Sequence, residues 1–204
     1  SRLPVYRGKM KLPARGVGLF AEALMSTFPT LPVEEDGRLN DPMLRENFIE
    51  RIFCHHRWRK LSERGLTRGR LVAFHTQHKL LLLSHHRAGY DRLGKLVASL
   101  TRDNEEEVFK AYPLELYRCL QHRATKKTHV NVLQHALGHL RRHFLGAETQ
   151  SLLQSIEDFR HGLVPLIVPV TLLRFNIERY DITYLKQQFY FMPHPKELML
   201  RNYC

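Results

Sequence analysis

The chain has 204 residues, 43% of them apolar and 25% charged, with a net charge of +12; this excludes a disordered tail and allows one sizeable core, or one core with an appendage. The charge is segregated, because residues 45–102 carry 13 basic against 4 acidic residues, residues 118–146 carry 6 basic and none acidic, and 11 of the 13 histidines lie between His55 and His143. A field of this kind draws in polyanions, and a phosphate-bearing partner stands against the plainer alternative of a solvated basic face.

In chain order, Leu3–Arg7 reads as a short strand, Gly16–Phe28 as an amphipathic helix and Leu31–Val33 as a second strand, followed by the acidic turn Glu34-Glu35-Asp36-Gly37. One strand–helix–strand piece cannot bury both faces of a sheet, so it reads as an αβ remnant whose sheet neighbours lie elsewhere, or else as an arm on a helical body. From Asp41 the periodicity is helical. Asp41-Pro42 is an N-cap with proline at the first helical position, and Gly65 stops that helix. Further helices are predicted over Thr67–His86, Tyr90–Leu100, Asn104–His122, Thr128–Leu145, Glu148–His161, Pro165–Tyr180 and Thr183–Tyr190, with a short one after Pro195 and a kink or break at Pro113. The fold class is therefore mainly α: a multi-helix bundle over residues 42–204, preceded by a small αβ unit in residues 1–41.

Three helical stripes carry the functional reading. Phe48, Ile52, His55 and Arg59 follow one another at helical spacing and turn from apolar to basic, with Arg57 alongside. Leu71, His75, His78, Leu82 and His85 thread histidines through a leucine seam, with Lys79 one step round; the seam either opens onto a cleft or has its imidazoles bonded within the bundle. If the two helices pack antiparallel across the Gly65–Thr67 turn, His55, Arg59, His75, His78 and Lys79 converge on one cleft. The third stripe divides a helix in two. Leu133, Ala136, Leu137, Leu140 and Phe144 form a core face, while Lys127, Asn131, Gln134, Gly138 and Arg141 run down the opposite one, flanked by His129 and Arg142. Lys126-Lys127-Thr128 at the start of this helix reads as a phosphate seat or as an ordinary capped terminus, and Gly138 in mid-helix suggests close approach of a neighbouring helix or of a ligand backbone. Trp58, Tyr90 and Tyr117 offer rings for stacking or for packing.

Catalytic chemistry finds little purchase. Cys54, Cys119 and Cys204 form no paired spacing, which argues against a disulfide framework and for a reducing cytoplasm. Cys54 and His55 point apart on a helix, and His75-x-x-His78 has no acidic ligand near it in sequence, so neither a nucleophilic dyad nor a metal site is expected. The longest apolar run, Leu163–Leu173, contains Pro165 and Pro169 and is too short to span a membrane.

The stretches Phe48–Arg59, Leu71–His85, His129–His135, Gly162–Leu166 and Pro193–Asn202, in that order, resemble the YbgA-like family of bacterial domains over roughly residues 42–204. Leu3–Arg7, Gly16–Leu24 and Leu31–Asp41 resemble the tail and linker of the thiouracil desulfidase domain to which YbgA-like domains are fused. The resemblance implies a tRNA 4-thiouridine desulfidase whose three-cysteine iron–sulfur cluster belongs to an N-terminal domain preceding this chain. It implies that this helical domain grips tRNA and works with the desulfidase domain in cis, and that no catalytic or metal-binding residue lies here. A protein-interaction or regulatory module is the alternative.

Overall fold

In the computed structural model most helices begin within three residues of the starts the sequence marks. It describes residues 3–5, 14–16, 18–144 and 146–203. Helix α1 spans Leu19–Thr27. The side chain of Asp41 accepts from the backbone N–H groups of Met43 and Leu44 to open α2 (Pro42–Glu63), which ends at Gly65 with φ of 82°. Thr67 caps α3 (Arg68–His85) through the N–H of Arg70, and His86 caps α4 (Arg87–Ala98) through the N–H of Gly89. Then come α5 (Glu105–Gln121), α6 (Lys126–Leu140), α7 (Gly146–His161), α8 (Ile167–Arg179) and the single turn α9 (Thr183–Lys186). Short 3-10 turns at Phe189–Phe191, Lys196–Leu198 and Leu200–Asn202 carry the chain to its end.

Helix α3 is the axis of the bundle: Leu71, Phe74, Leu80, Leu81, Leu82 and Leu83 are buried, and it packs on α4, α5, α6 and the Phe189–Phe191 turn. Helix α2 packs on α5 and on the Leu200–Asn202 turn, and it meets α3 in antiparallel order through long side chains: Trp58 on Phe74, Arg57 on His78 and Glu50 on His85. At the crossing of α4 and α5, a Cβ on Gly89 would lie 2.9 Å from both Cβ and Sγ of Cys119. No helix among the described residues is long and apolar enough to cross a membrane.

Three expectations need correction. Leu3–Val5 (β1) pairs antiparallel with Ala14–Gly16 (β2), while Leu31–Val33 forms no strand, so the strand–helix–strand unit is not built. Tyr6 and Arg7, the end of the first expected strand, lie outside the described residues. Helix α1, between that hairpin and α2, buries none of its residues, and Leu19 and Phe20 are more than 80% exposed. Pro113 does not break α5, which runs through it because Tyr112 and Leu116 on either side are both fully buried and hold the two halves in one line of packing. On α2 the buried stripe is Glu46, Asn47, Glu50, Cys54 and Trp58, not Phe48, Ile52, His55 and Arg59, because the two glutamates find an arginine inside the fold.

Candidate nucleic-acid interface

Helix α6 separates into two faces. Leu133, Ala136, Leu137 and Leu140 are completely buried, whereas Lys127, Asn131, Gln134, Gly138 and Arg141 are all exposed. The exposed side is the wall of a groove of about 560 Å³ lined by Lys126, Lys127, Val130, Asn131, Gln134 and, from the end of α7, Arg160. Lys126 Nζ sits 5.9 Å from the Phe159 ring centroid, and neither lysine forms an ion pair among the described residues. Arg160 pairs with Glu157 at 3.2 Å. Cations beside two side-chain amides, with the N–H groups of a helix start nearby, can hold a phosphodiester chain and its sugars.

The cap itself is already in use. Thr125 accepts from the Thr128 N–H, and the Thr128 hydroxyl both accepts from the Thr125 N–H at 2.8 Å and donates to its carbonyl at 2.9 Å, so that hydroxyl is not offered to a phosphate. Gly138 has nothing within 4 Å of where a Cβ would stand, so no neighbour approaches it closely. Arg141 and Arg142 are exposed in a 3-10 turn about 22 Å along the axis from Lys126, and Arg142 donates to His143.

The histidine seam is internal. His75 is paired with the Tyr112 hydroxyl at 3.1 Å, and His78 donates from Nδ1 to the Phe74 carbonyl while its Nε2 accepts from Arg57 at 3.1 Å. His129 is buried against the Tyr190 hydroxyl at 3.0 Å. Burial holds all three imidazoles neutral, lowering His75 to about 4 and His78 and His129 to about 3, with Lys79, Arg57 and Arg201 respectively pushing the same way. These three therefore leave the interface. Their polar partners are the Phe74 carbonyl one turn back on α3 and side chains from α2, α5 and the Phe189–Phe191 turn, the arrangement that satisfies a seam without opening it. His55 is half-buried beside Tyr117, Lys79 is half-buried, and Arg59 is exposed but paired with Glu63, so the five residues expected to share a cleft do not. Trp58 and Tyr117 belong to the core, and Tyr90 packs against it.

Beneath the basic surface lies a buried ionic cluster that periodicity concealed. Arg201 bridges Glu46 at 3.1 Å and Glu50 at 3.0 Å and donates to the Tyr190 carbonyl; Glu50 also meets His85 at 2.9 Å. Burial alone would raise the Glu50 carboxyl, but the His85 hydrogen bond and the charges of His85 and Arg201 outweigh it and hold the group at about 2. Glu46, Glu50 and His194 could together face a cation, yet Arg201 already compensates both carboxylates. Cys54 and Cys119 do not fit an iron–sulfur cluster, since burial pushes each thiol up to about 12 and cluster ligands are thiolates; Cys204 lies outside the described residues.

Sequence reasoning missed Arg160, which lies in a stretch of zero net charge, and Lys60 and Arg64, which line a second cavity with Arg57. Only helix crossing brings Arg160 to α6. A family described as "Protein of unknown function (DUF1722)" matches residues 79–195. The "Uncharacterized protein YbgA" of Escherichia coli (strain K12) is 34% identical over 158 residues, which cover 77% of this chain and 94% of that one. No solved structure matches.

Proposed function

Because the chain belongs to the DUF1722 family, which it shares with YbgA, we propose a function from its surface chemistry: it is a tRNA-binding helical domain of a tRNA 4-thiouridine desulfidase. The observation that carries the reading is the α6–α7 groove, where Lys126, Lys127 and Arg160 stand beside Asn131 and Gln134 in a chain of net charge +12. Positive charge positions a polyphosphate, and the amides supply donors and acceptors suited to 2′-hydroxyls, which distinguish RNA from DNA. In this reading residues 1–41 belong with a desulfidase domain, and the sulfur chemistry with its iron–sulfur cluster is that domain's. The part of this chain is grip, with the site reduced to Lys126, Lys127, Asn131, Gln134 and Arg160, and with Arg141 and Arg142 as outlying contacts.

The test is an electrophoretic shift of the full chain with tRNA and with duplex DNA of equal charge, repeated over a salt series. The expected result is preference for tRNA and a log–log salt slope that falls by roughly 0.7–0.9 for each lysine removed in Lys126→Ala/Lys127→Ala. Equal affinity for both polyanions, or none for either, overturns it, and the second outcome favours a protein-docking module, for which the exposed Leu19 and Phe20 of α1 are the suited surface.

A further inference from the structure

Helices α2 and α3 meet at Trp58–Phe74 and Arg57–His78 but leave a gap toward Gly65, and the Phe189–Phe191 turn packs on α3 beside it. The gap is a cavity of about 300 Å³, at the lower end of the size range of small-molecule sites. Its interior is apolar and aromatic, with Leu61, Ala73, Phe74 and Phe189, while its remaining lining is basic or amide: Arg57, Lys60, Arg64, Arg70 and Gln77.

The cations differ in what they are free to do. Arg70 donates to the Arg64 and Gly65 carbonyls and so closes the end of α2. Arg57 lies 4.1 Å over the Phe189 ring and donates from Nε to His78 and from Nη1 to the Pro193 carbonyl. Its Nη2 is buried with no hydrogen-bond partner, the neighbouring Cys54 thiol offering only a weak acceptor. That nitrogen is turned toward the buried Cys54 and away from the cavity, so Arg57 contributes its charge and its stack on Phe189 to the wall, while Gln77 supplies the open polar group. Lys60 and Arg64 are exposed and form no ion pair among the described residues. An apolar slot with aromatic rings and one amide in its lining, and with exposed cations beside it, is complementary to a flat heterocycle flanked by phosphates.

We propose that the α2–α3 cavity receives one unpaired nucleotide of a structured RNA, its base entering against Phe189 and Phe74 and its flanking phosphates meeting Lys60 and Arg64. Gln77, which lines the cavity, offers the base edge both a donor and an acceptor. The proposal rests on the RNA-binding reading and adds to it a second contact on a different pair of helices. Recognition by stacking suits a base that is already unpaired, because little unstacking free energy then opposes its entry.

The experiment compares two hairpins of equal length, one fully paired and one with a single bulged 2-aminopurine, by fluorescence anisotropy and by acrylamide quenching of the probe. The expected result is tighter binding of the bulged hairpin, with quenching reduced severalfold in the complex. Phe189→Leu, which retains apolar volume but removes the ring, should lose about fivefold in affinity for the bulged hairpin only, equivalent to ~1 kcal/mol and the lower end for base stacking. Lys60→Ala/Arg64→Ala, two exposed positions whose replacement leaves the core untouched, should restore quenching of the bulged base. Lys126→Ala/Lys127→Ala should weaken both hairpins alike. Equal affinity for the two hairpins with an unprotected probe overturns the pocket and leaves the groove reading standing; binding to neither removes both.

Discussion

At the scale of single residues, two glycines in this chain carry opposite predictions. A methyl group at Gly89 would meet Cys119 at 2.9 Å, so Gly89→Ala should destabilise the protein by roughly 1–3 kcal/mol through overpacking where α4 crosses α5. Gly138 is exposed, helical and open, so Gly138→Ala should stabilise by about 1 kcal/mol through helix propensity alone. Urea denaturation of both variants checks the pair, and similar shifts of the midpoint would contradict the packing described. Arg201 is a third decisive residue. Its loss leaves Glu46 and Glu50 buried without their compensating charge, and Arg201→Ala should destabilise by about 3–5 kcal/mol.

At the scale of the element, α6 lets the proposed RNA contact be tested apart from folding. Thr125 and Thr128 cap it reciprocally, so Thr125→Ala should lower stability by about 1 kcal/mol. Lys126→Ala/Lys127→Ala, one residue further on, should leave the thermal midpoint nearly unchanged because both lysines are exposed and form no ion pair among the described residues. Calorimetry of the two variants beside their RNA affinities tests this division. A Lys126→Ala/Lys127→Ala protein that loses affinity only as fast as it loses stability would place the effect in the fold instead of the groove. The two faces of α6 were readable in advance because a 3.6-residue period sorts its leucines from its lysines. Those of α2 were not, because its inner face holds Glu46, Asn47 and Glu50, and a pattern of apolar residues does not register carboxylates that are buried by pairing.

At the scale of the whole molecule, the buried titratable groups make the fold acid-sensitive. His75, His78 and His129 are held below the value near 6.5 that they take when unfolded, so the unfolded chain gains protons first. Their contribution is complete above pH 6.5 and is lost as pH falls toward 3–4, by up to roughly 2 kcal/mol for each at pH 5. Glu50, held down at about 2, acts in the same direction over a lower window, its contribution being complete above about 4.5 and lost as pH falls toward 2. Thermal unfolding followed from pH 8 to 4 should therefore show a midpoint that declines steadily below pH 6.5, and a midpoint flat to pH 5 would show the imidazoles to be solvated. Because these three histidines stay neutral between pH 8 and 6, they add no charge toward RNA there. The salt dependence expected of the chain then rests on lysine and arginine.

The sequence by itself determined the helical class, most helix starts and the polarity of α6, since capping chemistry and hydrophobic period act over a few neighbouring residues. It also determined the YbgA-like kinship. Tertiary structure alone decided the rest. Whether His75 and His78 face solvent depends on Tyr112 and Arg57, which reach them from other helices; Arg160 joins the α6 groove from α7; and Glu50 is buried only because Arg201, 151 residues later, returns to it. Each of these is a contact between residues distant in sequence, so no local pattern encodes it, and it exists only once the helices have packed.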